Sequence, residues 1–168
     1  RSIFSQCSGL QTLDVSGFDT SKVEDMSSMF SHCSGLKTLD VSGFDTSSVM
    51  DMSYMFALCR DLQMLDVSGF DTSSVTNLRS MFVSCSGLQT LDLSNFVANK
   101  DGAAVNSMSM LFDIPLTKLT IGSAWTISTD TGLREAKWYV AEGDEICTLA
   151  DTTELISNHN EKKLTRTY

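Results

Sequence analysis

Apolar residues recur along this chain on a ruler of 26 positions. Leu13, Val15 and Phe18 return as Leu39, Val41 and Phe44, as Leu65, Val67 and Phe70, and in weakened form as Leu91, Leu93 and Phe96. A fixed period of this length signals a repeat architecture in which each coil contacts only its neighbours. In the unit starting at Leu36, Leu39 and Val41 alternate with Thr38, Asp40 and Ser42, as a half-buried strand requires. Ser42-Gly43-Phe44-Asp45-Thr46-Ser47 is turn chemistry, with Asp, Thr and Ser as helix N-cap candidates. Val49, Met52, Met55, Phe56 and Cys59 then recur at spacings of three and four, which predicts a short helix with one buried face. The expected fold class is α/β: a solenoid of one strand and one short helix per coil, with a parallel sheet.

Stacking such coils sets equivalent residues about 4.8 Å apart. Leu13, Leu39, Leu65 and Leu91 become one core column, and Val15, Val41, Val67 and Leu93 a second. Phe18, Phe44, Phe70 and Phe96 are expected to form a third, and Phe30, Phe56, Phe82 and Phe112 a fourth. A single coil cannot bury its own apolar face, so these aromatic columns read as core and not as a ligand platform. The last repeat, residues 91–118, is irregular. Phe96 and Val105 are nine steps apart where the parent repeat has five, which suggests four inserted residues, and the Cys position falls in the Ile114-Pro115 region. Terminal repeats are atypical because they stop the stack, so capping is expected there, with a functional loop at 97–104 as the alternative.

Periodicity ends after Leu119-Thr120-Ile121-Gly122. The division expected is a repeat array over residues 1–122, about four coils plus a truncated first one, and a small α+β capping module over 123–168. In that module, Lys137-Trp138-Tyr139-Val140 and Glu145-Ile146-Cys147 flank Glu142-Gly143-Asp144 like the arms of a hairpin. Asp151-Thr152-Thr153-Glu154 before Leu155-Ile156 suggests a capped helix, and Leu164 to Tyr168 a last strand.

Charge narrows the function. The formal net charge is -9, and residues 1–98 hold 11 acids against 5 bases. No basic stripe exists to release counterions from a phosphate backbone, so nucleic acid is not an expected partner. No run of 18 apolar residues occurs, so no membrane insertion is expected in this segment. The start shows no signal-peptide pattern, because Arg1-Ser2-Ile3-Phe4 already lies inside a repeat, as in a piece of something longer.

Four cysteines, Cys7, Cys33, Cys59 and Cys85, lie one period apart. Identical positions in stacked coils direct their Cβ atoms in parallel, which is poor disulfide geometry. A zinc site needs sulfurs converging on one point, whereas a column spreads them over roughly 14 Å. A ladder of buried free thiols is the preferred reading, with disulfides and metal as alternatives. Cys147 stands alone. Catalytic constellations are scarce: His32 and His159 are the two histidines, and no nucleophile elbow, P-loop, zinc-protease or dinucleotide fingerprint occurs. No enzyme and no cofactor are expected.

The costly column is acidic. Asp14, Asp40, Asp66 and Asp92 repeat on the strand face opposite the core. Carboxylates about 5 Å apart repel by roughly 1 kcal/mol per neighbour in water. Hydrogen bonds from neighbouring Ser and Thr hydroxyls or turn amides offset that in the simplest reading. A weak calcium site at Asp40 and Asp66, or a docking strip for a basic partner, are the sharper ones. A second column, Asp19, Asp45 and Asp71, reads as helix capping. The helix and return loop vary between coils more than the strand does, and they carry Tyr54, Arg60 and Arg79, residue types that anchor interfaces. The candidate ligand-binding residues are thus Asp14, Asp40, Asp66, Asp92, Tyr54, Arg60 and Arg79.

Assembled, the unit L-x-x-L-D-[VL]-S-x-F-D-T-S-x-V-x-x-M-x-x-M-F-x-x-C-x-x-L resembles the 26-residue repeat of bacterial surface proteins and lipoproteins, a branch of the BspA-like leucine-rich repeats. The resemblance covers residues 3 to about 122, and the Trp125 and Trp138-Tyr139 region looks like the segment that commonly follows such arrays. It implies a leucine-rich-repeat-like solenoid in an extracellular protein of the bacterial cell surface, with adhesion as the usual proposal and no catalytic residues to carry over. The expectation is a monomeric, non-enzymatic recognition module for a host or cell-surface protein, possibly a glycan. The alternative is a structural spacer that displays neighbouring domains.

Overall fold

A coil of turns and short extended stretches leaves many backbone N–H and C=O groups without partners of its own, and these must be satisfied somewhere. Here they are satisfied by residues one period away. The computed structural model describes residues 1–97, 104–122, 124–125, 129–133, 137–142, 145–151 and 166–167. Parallel bridges join Asp25 to Asp51, Thr38 to Met64, and Asp51 to Asn77, each 26 residues apart.

The Met-Phe segment departs from expectation. No α-helix occurs among the described residues. Instead, Met26, Ser28, Phe30 and His32 donate their N–H groups to the carbonyls of Asp51, Ser53, Met55 and Ala57 in the next coil, at 2.8–2.9 Å. Met52, Tyr54, Phe56 and Leu58 repeat the pattern onto Asn77, Arg79, Met81 and Val83. Within a coil, turns close from Met29 to Met26 and from Cys33 to Phe30. Their third residues, Ser28 and His32, have positive φ of 55° and 62°, as a type II turn demands at that place. Tyr54 and Leu58, then Ser80 and Ser84, adopt the same left-handed conformation. Successive turns bury Met26, Met29, Phe30, Cys33 and Leu36, the same three-and-four spacing that a helix would bury. The spacing identifies the buried side chains, and the neighbouring coil decides where the N–H groups go.

Side chains lock the stack. Phe4, Phe30, Phe56 and Phe82 lie face to face with ring centroids 5.7–5.8 Å apart and planes within 9°. Buried Thr20, Thr46 and Thr72 each use one hydroxyl twice: Thr46 Oγ1 donates to the Asp71 carbonyl at 3.0 Å and accepts the Asp71 N–H at 2.8 Å. Thr20 does the same to Asp45, and Thr72 to Val97. These threonines, expected as helix caps, are staples between coils.

The fourth coil is built differently. The Asn77–Asn106 bridge spans 29 residues where its predecessor spans 26, so three residues are inserted, one fewer than the sequence count suggests. The register places Leu111, not Phe112, in the phenylalanine column: Leu111 is buried and Phe112 is 57 % exposed. Ile114 occupies the cysteine slot and is buried. Four-residue strands now form: β1 (Thr90–Leu93) pairs in parallel with β2 (Lys118–Ile121). Strands β3 (Lys137–Glu142), β4 (Glu145–Asp151) and β5 (Arg166–Thr167) complete a mixed sheet in the order β1-β2-β5-β3-β4, with β5 antiparallel to both β2 and β3. The β3–β4 pairing, closing at Glu142 and Glu145, is the expected hairpin. The helix expected after Asp151 lies outside the described residues, as do Leu164 and Tyr168 of the last strand. A 3₁₀ turn at Thr129–Thr131 receives the N–H groups of Ser109 and Leu111 on the Asp130 and Thr131 carbonyls, and so terminates the ladder. Trp125 closes the other aromatic column, that of Phe44, Phe70 and Phe96, edge-on to Phe96 at 6.1 Å.

Candidate functional surfaces

The acidic column is real and its charge is already engaged. Asp14, Asp40, Asp66 and Asp92 are exposed, and each Oδ1 accepts the N–H of the serine two residues on, at 2.8–2.9 Å. This is the Asx-turn, in which a short carboxylate stands in for a backbone carbonyl. The Ser42 hydroxyl and amide hold the Asp40 carboxyl below the usual carboxylate range, against the opposing charge of Asp14, and Ser68 does the same for Asp66. For Asp14 the Ser16 amide leads.

The same device recurs at two other corners. Asp19, Asp45 and Asp71 accept from Ser21, Ser47 and Ser73 at 2.8–3.1 Å, and Asp25 and Asp51 from Ser27 and Ser53. Asp45 is likewise held low, chiefly by the Ser47 hydroxyl. The tripeptide Asp-x-Ser therefore marks three corners of a regular coil, and that was the signal available in Asp25-Met26-Ser27 and Asp51-Met52-Ser53. Asn77 and Asn106 continue the third column, with Asn77 accepting from the Arg79 N–H. The helix-capping role expected for the second column does not arise, since no helix follows it.

Calcium prefers six to eight oxygens. Asp40 and Asp66 contribute one column of carboxylates, and among the described residues no group of three or more potential metal ligands converges.

The remaining candidates divide between two edges. Tyr54 and Arg79 meet across adjacent coils, where Arg79 Nε donates to the Tyr54 hydroxyl at 3.0 Å. Both are exposed, as is Met50. Arg60 lies apart from them, on the return-loop edge. There it lines a cleft of about 620 Å³ together with Lys37, Gln63 and Gln89, three residues that sequence comparison of the coils did not single out. A smaller space of about 290 Å³ lies between Asp66 and Asp92 and is bordered by Lys118. Thr90 borders both spaces, so the basic cleft and the acidic face adjoin.

The thiols are core. Cys33, Cys59 and Cys85 are buried and free, and each Sγ donates to a phenylalanine carbonyl of the preceding coil, Phe4, Phe30 and Phe56, at 3.0–3.1 Å. Burial pushes all three thiols up, Cys85 to about 12, so they stay protonated and poorly nucleophilic. His32 is exposed beside the Ser31 hydroxyl and faces no partner acid among the described residues. Among those residues no helix is long and apolar enough to cross a membrane.

The profile of the family described as "Mycoplasma protein of unknown function, DUF285" matches residues 1–125. No curated protein and no solved structure matches the chain significantly.

Proposed function

The chain belongs to that family of unknown function, and from this premise we propose that it is a non-enzymatic recognition module, a leucine-rich-repeat-like solenoid segment exposed on a bacterial cell surface. The observation that carries the reading is where the repeat varies. Interior columns keep their residue types from coil to coil, while the outward edges acquire Tyr54, Arg79, Lys37 and Arg60, which serve no core contact. Tyrosine and arginine brought together on an exposed edge are the residue types that dominate binding energy at interfaces. A host or cell-surface protein fits the Tyr54–Arg79 edge, and a glycan the polar return-loop edge. The acidic strand face is the weaker docking candidate, because its carboxylates are already engaged by serine amides.

That engagement also favours the second reading, a spacer that displays neighbouring domains. If the most regular charged column exists to make turns, regularity itself needs no ligand. The two readings separate when the 168-residue chain is immobilised and presented with extracellular-matrix proteins and a glycan panel. Saturable binding that Tyr54→Ala or Arg60→Gln weakens supports recognition. Uniform silence from a folded monomer supports the spacer.

A further inference from the structure

Glycine is what stacking asks for at one position of the return loop, and the second coil refuses it. An added Cβ at Gly35 would sit 2.7 Å from the Ser8 carbonyl oxygen, and one at Gly87 would sit 2.6 Å from that of Leu62. Each glycine follows a serine, in Ser34-Gly35 and Ser86-Gly87. The second coil has Arg60-Asp61 there, with the Asp61 N–H held by the Ser34 carbonyl at 3.2 Å. Packing does not explain this pair, since both side chains are exposed. They line the cleft.

From this departure, and resting on the recognition reading above, we propose that the cleft between the return loops binds a carboxylate-bearing saccharide, such as a uronic or sialic acid residue of a glycan. Every residue lining the cleft is polar or glycine. A protein partner would want an apolar or aromatic anchor in a desolvated pocket, and none is offered. The volume of about 620 Å³ lies in the range of small-ligand sites. Arg60 and Lys37 are exposed cations, and among the described residues the single ion pair is Arg1 with Asp25, so both stay available to a ligand although Asp61 in the same lining offsets part of their charge. A guanidinium fork grips a carboxylate through two parallel N–H···O bonds, and Lys37 adds a second charge. The Gln63 and Gln89 amides each present donors and an acceptor, and Thr90 a hydroxyl, which matches a ring of sugar hydroxyls. Asp61 accepts from such a hydroxyl and repels a polyanion, so a single carboxylate is preferred over clustered phosphate or sulfate.

The test titrates the isotopically labelled 168-residue chain with a hyaluronan hexasaccharide and with 3′-sialyllactose, following amide shifts. Each probe has a carboxyl-reduced counterpart as control, and oligoglutamate serves as a simple anionic peptide. The proposal expects shifts centred on Lys37, Arg60, Gln63 and Gln89 for at least one acidic saccharide. Affinity should fall about tenfold or more in Lys37→Gln and in Arg60→Gln, whose far-UV spectra and melting stay as in the parent. The reduced counterpart should not bind. Silence from both acidic saccharides overturns the proposal, as does equal binding of the reduced sugar or of oligoglutamate in the same cleft. If the saccharides fail while the chain captures a protein through the Tyr54 and Arg79 edge, the cleft proposal falls and the recognition reading stands.

Discussion

The three regular coils and the irregular fourth hold together by different means. In the regular coils the extended Leu-x-Val stretches make little ladder of their own, and the stack is carried by the turn segment, the Thr staples, the thiol-to-carbonyl bonds and the face-to-face phenylalanines. The fourth coil keeps the turn segment, whose Asn106, Met108, Met110 and Phe112 carbonyls accept from Leu78, Ser80, Phe82 and Ser84, but loses the other three. Leu111 replaces the ring, Ile114 replaces the thiol, and the last staple is Thr72 on Val97. In exchange it gains a four-residue parallel ladder between β1 and β2, on whose far edge β5 pairs antiparallel. Gly122 marks the change, because a Cβ there would lie 1.9 Å from the Ser94 carbonyl oxygen, where earlier coils carry the serine of an Asx-turn. A repeat can thus exchange one kind of cohesion for another while its core columns continue through Leu119 and Ile121. What ends the stack is the loss of side-chain devices that only a further identical coil could use.

The comparison breaks most readily at the rings. Phe56→Ala, at the centre of the regular stack, should cost about 3–5 kcal/mol, whereas Phe112→Ala in the fourth coil should change stability by no more than about 0.5 kcal/mol. Urea melts of the two variants decide it, and equal losses would mean that Phe112 belongs to the column. Next comes the staple. Thr46→Val removes both hydrogen bonds that join Thr46 to the Asp71 backbone and should cost about 1–3 kcal/mol, while Thr46→Ser retains most of the stability.

Smaller effects follow from titration. Asp14, Asp40, Asp45 and Asp66 have carboxyls held low in the folded state, so their contribution is complete above the ordinary carboxylate pKa of about 3.9 and is lost as pH falls through the lower folded values. The buried thiols act in the opposite sense: their contribution is complete below about pH 8.5 and fades as pH rises toward the raised folded values. Melting temperature should therefore be flat between about pH 5 and 8 and decline on both sides. Asp40→Asn keeps an oxygen for the Ser42 amide and should leave stability near neutrality almost unchanged, while flattening the acid limb. Least perturbing of all is alkylation of the folded chain: iodoacetamide at pH 8 should modify Cys7 and leave Cys33, Cys59 and Cys85 untouched in peptide mass spectra.

Much of the interior was legible from spacing alone. Leucine, valine and cysteine columns fall where a 26-residue period places them, because burial of side chains is what the period records. Backbone partners were not legible. Met52, Met55, Phe56 and Cys59 are spaced as a helix would space them, yet a chain of turns buries the same set, and no pattern of apolar residues distinguishes an N–H that bonds four residues back from one that bonds 25 residues ahead. Phe112 was misplaced for a related reason: counting from one phenylalanine to the next ignores that the backbone register, fixed at Asn106, moves the column to Leu111. At the surfaces, the acidic column stood out in the sequence while its Asp-x-Ser grammar went unread at the third corner. Lys37, Gln63 and Gln89 are ordinary exposed residues in sequence and acquire meaning through the cleft they share with Arg60.

The Met-Phe segment is a ladder between coils and not a row of helices. Scalar coupling across hydrogen bonds tests it directly, by correlating the amide nitrogen of Phe56 with the carbonyl carbon that accepts its proton. A correlation to Met81 is expected, with a companion from Phe30 to Met55. A correlation from Phe56 to Met52, four residues back, would be the mark of an α-helix and would contradict it.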